Sequence, residues 1–308
     1  MTKALDRLTL LETFVRIAER GTISAAARDL GLSQASASRQ LSDLEQRLGV
    51  ELIARTTHSL SLTKAGETCL TEARVLLADW DGFAERFADE AESLSGPLKI
   101  VVPIALGQTI ALDCAIAFQK AHPGIVLDWI LEDRPIRFSE MGCDLWIRIG
   151  DVPDEALIVQ PLSTVERLIV AAPGLLPVAA EPDPATLEDL PCLALSPFEG
   201  GQISLRAKDG GALDLKATVT FSSNDIFAIR RAALSGAGYA VLPHWLVAQD
   251  LEERTLTDIL PDWRAPSLTI NAAYAPSRRQ TRRLRLFLEI ISEALTAPQT
   301  RGSTSRWE

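Results

Sequence analysis

Apolar residues in the first fifty positions recur at steps of three and four, the spacing of amphipathic helices. The first such run, between residues 5 and 20, has apolar positions at Leu8, Leu11, Phe14, Val15 and Ala18. Gly21 ends this run, and a short alanine-rich helix is predicted over residues 24–30. Gly31 follows directly and can supply a left-handed residue for a sharp turn. The pattern therefore predicts two helices and a tight turn before residue 33.

A third helix is predicted to begin after Ser33, whose hydroxyl can cap the first turn. Its apolar positions step by four, three and four and should face the core; they are Ala37, Leu41, Leu44 and Leu48. The residues left facing outward are Gln34, Ala35, Ser38 and Arg39. This arrangement is typical of a helix-turn-helix, whose last helix meets base edges in the major groove of DNA. Gln and Arg can form paired hydrogen bonds with adenine and guanine, which favours this interpretation.

A short hairpin, or wing, is predicted over residues 51–62, with its tip at residues 55–58. Thr63 can cap the next helix, and Lys64 in the first turn of that helix lies where a phosphate could be reached. The full set of predicted DNA contacts is Ser24, Ser33, Gln34, Ala35, Ser36, Ser38, Arg39, Arg55, Thr56, His58 and Lys64. A helix-turn-helix pattern also occurs by chance in helical proteins, and Arg39 could equally be a solvated surface residue.

A long helix is predicted over residues 63–93, about 45 Å in length at 1.5 Å per residue. Its apolar positions follow a heptad pattern, which is typical of a seam between two helices. The residues predicted to form this dimerisation seam are Leu70, Ala73, Leu77, Trp80, Ala84 and Phe87. A single amphipathic helix packed on its own domain is the alternative. We favour the dimer, because Trp80 and Phe87 would otherwise be exposed.

Strand-like apolar runs alternate with helical ones after Ser95, Gly96 and Pro97, which end the long helix. This alternation predicts α/β architecture with largely parallel sheets. Small molecules bind such sheets at the carboxyl ends of the strands, near helix N-termini. The residues predicted to bind an effector there are Pro103, Ile104, Ala105, Leu106, Arg148, Gly150, Ser196, Phe198, Asn224, Asp225, Pro243 and Trp245. Arg148 is favoured as the anchor of a carboxylate, with a structural salt bridge as the equally supported alternative.

Charge is distributed unevenly along the chain of 308 residues, which has a net charge of −10. Residues 1–66 contain nine basic and seven acidic residues, a net charge of +2, and the remainder carries −12. A weakly basic head on an acidic body is compatible with DNA binding only through a few well-placed phosphate contacts. No apolar run approaches the roughly 18 residues that span a bilayer, and the first twenty residues do not resemble a secretory signal. We therefore expect a cytoplasmic protein without a membrane partner.

No motif for catalysis, a metal or a cofactor is predicted. The four cysteines, Cys69, Cys114, Cys143 and Cys192, form no CxxC pair, and the three histidines are spread over different segments. Gly236-x-Gly238 is preceded by a predicted helix and followed by a predicted strand, the reverse of the order in dinucleotide-binding folds. A helix C-cap is therefore favoured, and we expect a protein that is not an enzyme and has no cofactor.

A series of short motifs covers the whole head. They are Leu11-x-x-Phe14, Ala26-Ala27-x-x-Leu30, Ser33-Gln34, Ser38-Arg39-Gln40, Leu44-Glu45-x-x-Leu48-Gly49, Leu52-x-x-Arg55 and Leu62-Thr63-x-Ala65-Gly66. These motifs resemble the signature of LysR-type transcriptional regulators. Three further segments resemble the same family less specifically: Phe118-x-x-x-x-Pro123, Asp144-Leu145-x-Ile147-Arg148-Ile149-Gly150 and Gly236-x-Gly238-x-x-x-Leu242-Pro243. The family usually has proline where Ala35 stands and phenylalanine where Ile53 stands, so the angle of the recognition helix is the feature we expect to differ.

The resemblance implies a winged helix-turn-helix, a linker helix and a two-lobed α/β effector domain of the periplasmic-binding-protein type (type 2). The implied boundaries are 1–66 for the head, 67–94 for the linker, 95–298 for the effector domain and 299–308 for a disordered tail. Within the effector domain the outer lobe would comprise 95–170 and 266–298, and the inner lobe 171–265.

The implied function is sequence-specific regulation of transcription by a homodimer or homotetramer on a dyad operator in double-stranded DNA. A small organic effector, which we expect to be an anion, would modulate it, and RNA polymerase is a candidate partner. The alternative is a solute-binding protein without a DNA role. That class would need a secretory signal and would not need the head.

Overall fold

The computed structural model describes residues 6–55, 60–84, 94–175, 183–198, 201–276 and 281–296. The first part of the chain folds as three short helices, a two-stranded wing and one long helix. These are α1 (Arg7–Arg20), α2 (Ile23–Asp29), α3 (Gln34–Leu48), β1 (Ile53–Arg55), β2 (Leu60–Leu62) and α4 (Lys64–Ala84). The strands β1 and β2 pair antiparallel, which confirms the predicted hairpin. No helix among these or later described residues is long and apolar enough to cross a membrane.

Side-chain caps and glycines set the helix ends in the head. The Ser33 hydroxyl accepts a hydrogen bond from the Ser36 amide, and the Thr63 hydroxyl accepts one from the Gly66 amide, so both predicted caps are confirmed. Gly21 and Gly49 end α1 and α3 in the left-handed region, where only glycine is free of strain. The short local signals in the sequence therefore place α3 and the wing correctly.

The core of the head is formed by apolar side chains from α1, α2, α3 and β1. Its buried members are Leu10, Phe14, Ile17, Ala26, Leu41, Leu44, Leu52 and Ile53. One predicted core position is wrong, because Leu48 is 50% exposed at the end of α3. Gln40 is buried instead, and its side-chain oxygen accepts a hydrogen bond from the buried Thr13 hydroxyl of α1. A satisfied polar pair thus joins α1 to α3.

The long helix α4 packs partly on the head, which corrects the predicted seam. Leu70 lies against the core of the head, and Ala73 is fully buried within the single chain. Ala73 is therefore not free to contact a second helix, whereas Leu70 is still partly exposed. The exposed apolar residues of α4 are Val75, Leu76, Trp80 and Phe83. Phe87 lies outside the described residues, and at Ala84 only the backbone is described.

The rest of the chain forms a mixed sheet with helices on both sides. Its strands are β3 (Ser95–Val102), β4 (Gly124–Leu131), β5 (Leu145–Ile149), β6 (Ile158–Ala171), β7 (Pro191–Leu195), β8 (Gln202–Ala207), β9 (Ala212–Lys216), β10 (Thr218–Ser223), β11 (Tyr239–Pro243), β12 (Thr257–Asp258) and β13 (Trp263–Tyr274). Its helices are α5 (Ile104–Gly107), α6 (Ile110–Ala121), α7 (Phe138–Met141), α8 (Ile226–Leu234), α9 (His244–Glu252) and α10 (Arg282–Thr296). A 3-10 helix over Pro184–Asp189 precedes β7.

Two lobes share this sheet. In the outer lobe β3 pairs in parallel with β4 and β5, and in the inner lobe β7 pairs in parallel with β10 and β11. The long strands β6 and β13 pair with each other and pass from one lobe into the other. From Arg167 to Val170, β6 already pairs with β11, so it enters the inner lobe before the predicted boundary at residue 171. The two lobes are therefore joined by an antiparallel pair of strands.

Arg74 of α4 connects the head to the outer lobe. Its Nη2 lies 3.3 Å from the Glu19 carboxylate of α1, and its Nη1 donates to the Glu140 carbonyl of α7 at 3.1 Å. Gly142 follows α7 with φ of 57°, and a β-carbon there would lie 2.5 Å from the Arg74 guanidinium. One side chain thus bridges three helices, and it fits only because residue 142 has no side chain.

Candidate nucleic-acid interface and ligand cleft

The first turns of α3 form an open surface on the head. Gln34, Ala35 and Arg39 are exposed, while Ser36 and Ser38 are half-buried. The opposite side of α3 is held in the core by Ala37 and Leu41. The helix therefore presents short side chains, one amide and one guanidinium to solvent, which suits close approach to base edges.

The wing is attached to the end of α3 through Glu45. The Glu45 carboxylate accepts hydrogen bonds from the Leu52 amide at 2.9 Å and the Ile53 amide at 3.2 Å. These bonds fix the start of β1, which ends at Arg55. The wing is therefore held in a defined position beside α3.

The other predicted DNA contacts lie around this surface. Ser24 is exposed in α2, Ser33 is exposed at the start of α3, and Lys64 is exposed in the first turn of α4. Thr56 and His58 lie outside the described residues, and for Arg55 only the backbone is described. The described part of the predicted set is thus accessible to a partner, and its role in DNA binding stays a prediction.

A cavity of about 570 Å³ lies between the two lobes. The carboxyl ends of strands from both lobes line it, as expected for ligand sites in open α/β sheets. Eight of the predicted effector residues line this cavity: Pro103, Ala105, Arg148, Ser196, Phe198, Asn224, Pro243 and Trp245. The volume falls within the range of pockets for small organic molecules, so the cleft is large enough for an effector.

Four predicted effector residues do not line the cavity, which corrects the predicted set. Leu106 is fully buried in the core of the outer lobe, and the Gly150 carbonyl accepts a hydrogen bond from Asn271. The amide of Ile104, at the start of α5, donates to the Asp133 carboxylate at 3.0 Å. Asp225 caps α8 through the Phe227 amide at 2.9 Å. Two helix N-termini that we expected to hold an anion thus carry a carboxylate of the chain itself.

Arg148 lines the cavity but also has partners within its own lobe. Its Nε donates to the Asp151 carbonyl at 2.6 Å, and its guanidinium lies 5.3 Å from the ring centroid of Trp146. Partial burial lowers the pKa of Arg148, and the nearby Asp151 carboxylate opposes this shift. The geometry therefore supports a structural role for Arg148 beside its predicted role as an anchor.

The structure places further charged residues in the cleft that the sequence analysis missed. Glu132 and Asp133 line it from the end of β4, and Arg167 lines it from β6. Burial raises the pKa of Asp133, and the Ile104 amide opposes this shift. Burial lowers the pKa of Arg167. In the sequence, the signal that could have identified Arg167 is a single arginine placed directly before the apolar run of a strand, at residues 168–170.

Trp245 joins the two lobes at the back of the cleft. It is the second residue of α9 in the inner lobe and packs against the cores of both lobes. Its indole Nε1 is buried and has no hydrogen-bond acceptor among the described residues. A buried donor without a partner costs free energy, so an acceptor supplied by a ligand would be favoured near this residue.

Comparison with known protein families assigns both halves of the chain. Residues 8–67 match the family described as bacterial regulatory helix-turn-helix protein, lysR family, and residues 91–296 match the LysR substrate binding domain. The chain is 32% identical over 309 residues to the HTH-type transcriptional regulator PtxR of Pseudomonas aeruginosa, covering 96% of each protein. It is 30% identical over 294 residues to the HTH-type transcriptional regulator DmlR of Escherichia coli, covering 94% of each.

The fold is also similar to a solved structure that the chain matches over nearly its whole length. The structure of CrgA, a LysR-type transcriptional regulator from Neisseria meningitidis, superposes with a TM-score of 0.59 at 25% sequence identity. The match covers 96% of this chain and all of that one. Head, linker helix and two-lobed body thus occur together in a known regulator.

Proposed function

The chain belongs to the LysR family of transcriptional regulators, and from this premise we propose that α3 reads an operator while the cleft binds a small organic effector. The observation that carries the proposal is the outward face of α3, where Gln34 and Arg39 are exposed beside the wing. A bacterial regulator acts on chromosomal DNA, so the proposal places the chain in the cytoplasm.

The direct test of DNA reading is footprinting on the DNA that flanks the gene of this protein, followed by binding titrations on the protected sequence. Arg39→Ala and Gln34→Ala should each lose about 1–3 kcal/mol of discrimination at particular bases, because each side chain would read one base pair. Lys64→Ala should weaken binding to all sequences alike, since a phosphate contact carries no sequence information.

Arg47→Ala is the matched control for these variants. Arg47 is exposed on the same helix but lies eight residues beyond Arg39, about 12 Å along the axis. The substitution Arg47→Ala removes the same charge as Arg39→Ala, but outside the proposed reading surface, and should leave base discrimination unchanged. Equal selectivity for wild type and Arg39→Ala would show that α3 is not the reading helix.

We further propose that the exposed apolar residues of α4 form the dimer contact. Val75, Leu76, Trp80 and Phe83 are exposed in the single chain, and the rings of Trp80 and Phe83 stack at 5.7 Å. A group of this size is more stable when a second helix covers it. Trp80→Asp with Phe83→Asp should give monomers in sedimentation and weaken operator binding, because one head contacts only one half-site. A dimer that persists would exclude this surface.

The effector proposed for the cleft is a small organic anion with an apolar body. Phe198 and Trp245 offer apolar walls, and two guanidinium groups line the same cavity. Binding at a hundredfold excess over Kd should add about 2.7 kcal/mol to the free energy of unfolding, which is measurable as a rise in Tm. The same compound should alter the DNA footprint, because only a ligand that prefers one arrangement can change DNA binding.

No catalytic role is proposed for the cleft. The relatives are transcriptional regulators, and the described residues contain no group of three or more potential metal ligands. Contact with RNA polymerase stays a prediction, and a pull-down of polymerase with operator-bound protein would test it.

A further inference from the structure

Arg167 lies at the junction of the two lobes, on the floor of the cleft. In the sheet it is paired with Pro243 of β11 on one side and with Ala265 of β13 on the other. Its Nε and Nη2 both donate to one carbonyl, that of Pro266. The guanidinium is thus anchored on the connecting strands, and its Nη1 has no hydrogen-bond partner among the described residues.

The charge of Arg167 is not neutralised within the described part of the chain. Neighbouring arginines are paired: Arg264 with the Glu166 and Asp258 carboxylates, and Arg230 with Asp250. Arg167 forms no ion pair with the described carboxylates, and burial alone lowers its pKa. A partly buried cation without a counterion is unfavourable, so an anion in the adjacent cavity would be stabilised.

The other places where an anion could bind in the cleft are less suitable. An amide in the first turn of α5 donates to the Asp133 carboxylate and one in the first turn of α8 donates to the Asp225 carboxylate, and these two carboxylates would repel an anion. The helix α9 follows Pro243, the residue paired with Arg167, and has no side-chain cap. The positive end of this helix and the unpartnered Nε1 of Trp245 therefore belong to the same region as Arg167.

We propose that Arg167 binds the anionic group of the effector at the junction of the lobes and determines specificity for a carboxylate. This inference rests on the proposed effector cleft and assigns its anchor. A carboxylate bound there contacts a guanidinium held by both connecting strands. The ligand is therefore sensed at the point about which the lobes would move, whereas Arg148 belongs to the outer lobe alone.

The experiment measures Tm of the full chain at constant ionic strength with sodium acetate, succinate or benzoate. Benzamide is the matched control for benzoate, because it has the same ring without the charge. The proteins compared are wild type, Arg167→Gln, Arg167→Lys and Arg148→Gln. Gln at 167 can still donate to the Pro266 carbonyl, and Lys keeps the charge without the planar fork.

We expect at least one carboxylate to raise the Tm of wild type and of Arg148→Gln by several degrees, and Arg167→Gln to lose this rise. Arg167→Lys should keep part of it, which also shows that substitution at this position allows folding. Without added carboxylate, Arg167→Gln should melt about 2–4 °C above wild type, because an uncompensated charge has been removed.

Other outcomes separate this inference from the proposed function. A rise retained in Arg167→Gln but lost in Arg148→Gln would overturn the assignment of Arg167 and leave the effector cleft in place. No rise with any carboxylate in wild type would overturn the assignment as well. A rise that depends on Arg167 but leaves the DNA footprint unchanged would support the anchor and contradict ligand control of DNA binding.

Discussion

Gly66→Ala is predicted to displace the wing, although it adds a single methyl group. Gly66 lies in the first turn of α4, directly against the peptide that leads into β1. A β-carbon at this position would lie 2.0 Å from the Leu52 carbonyl oxygen and 3.0 Å from its carbon. Ordinary contacts between carbon and oxygen begin at about 3.3 Å. The wing or the helix would have to retreat by more than about 1 Å.

The cost of this displacement can be estimated from its parts. Forcing an extra methyl against packed structure costs about 1–3 kcal/mol, and the upper end applies because the obstacle is backbone. The same carbonyl accepts a hydrogen bond from the Thr63 amide at 3.0 Å, which the displacement would strain. Alanine regains about 1 kcal/mol over glycine through helix propensity. The free energy of unfolding of the head should therefore fall by about 2 kcal/mol.

Calorimetry of the full chain measures this loss. A change of about 2 kcal/mol in a domain of this size lowers Tm by about 8–16 °C, and the transition of the head is identified because operator DNA raises it. Operator affinity should fall too, since the wing moves relative to α3. Thr68→Ala, at an exposed position two residues further along α4, is the control and should melt within about 2 °C of wild type. An unchanged Tm in Gly66→Ala would refute this account of the wing.

Three further changes test other parts of the fold. Gln40→Leu should cost about 1–3 kcal/mol in unfolding titrations by leaving the Thr13 hydroxyl unpaired, and adding Thr13→Val should restore most of it. Asp250→Asn should cost about 2–4 kcal/mol, because Asp250 is buried and binds the Arg230 guanidinium with two hydrogen bonds; Asp262→Asn, in an exposed pair, should cost less than about 0.5 kcal/mol. Burial raises the pKa of Asp133 above its ordinary 3.8, so the native state keeps this proton at pH values where the unfolded chain has lost it. The free energy of unfolding therefore falls as the pH rises from about 3.8 through the raised pKa. Asp133→Asn should therefore gain stability over wild type at pH 7 but not at pH 3, and an equal difference at both would contradict the shift.

The parts of the head that were predicted correctly depend on local interactions. Ser33 and Thr63 cap amides three residues away, and Gly21 ends α1 by its own backbone conformation. Such signals are complete within a few residues. Position 48 was assigned to the core from spacing alone, and spacing does not show that Gln40 is buried with a partner on α1. Ala73 was assigned to the seam from spacing in the same way, and the periodicity of α4 does not show which side of the helix packs on the head.

The cleft could be predicted only in outline. Strands that alternate with helices place a site at their carboxyl ends, and eight of the twelve expected residues line the cavity there. The contact of Asp133 was not predictable in the same way, because its carboxylate reaches an amide 29 positions earlier in the chain. The neighbours of Arg167 come from β11 and β13, far away in sequence. Charge compensation between distant segments is thus what the sequence pattern did not reveal.

The bridge formed by Arg74 limits how regulators of this kind can be recombined. Its bond to the outer lobe goes to a backbone carbonyl, which almost any sequence provides, but the guanidinium also occupies the space beside Gly142. A chimera that joins this head and linker to the body of a relative therefore needs no matching acidic side chain on the body. It needs glycine at position 142, since a bulkier residue there would displace the Arg74 guanidinium and remove this contact between the head and the outer lobe.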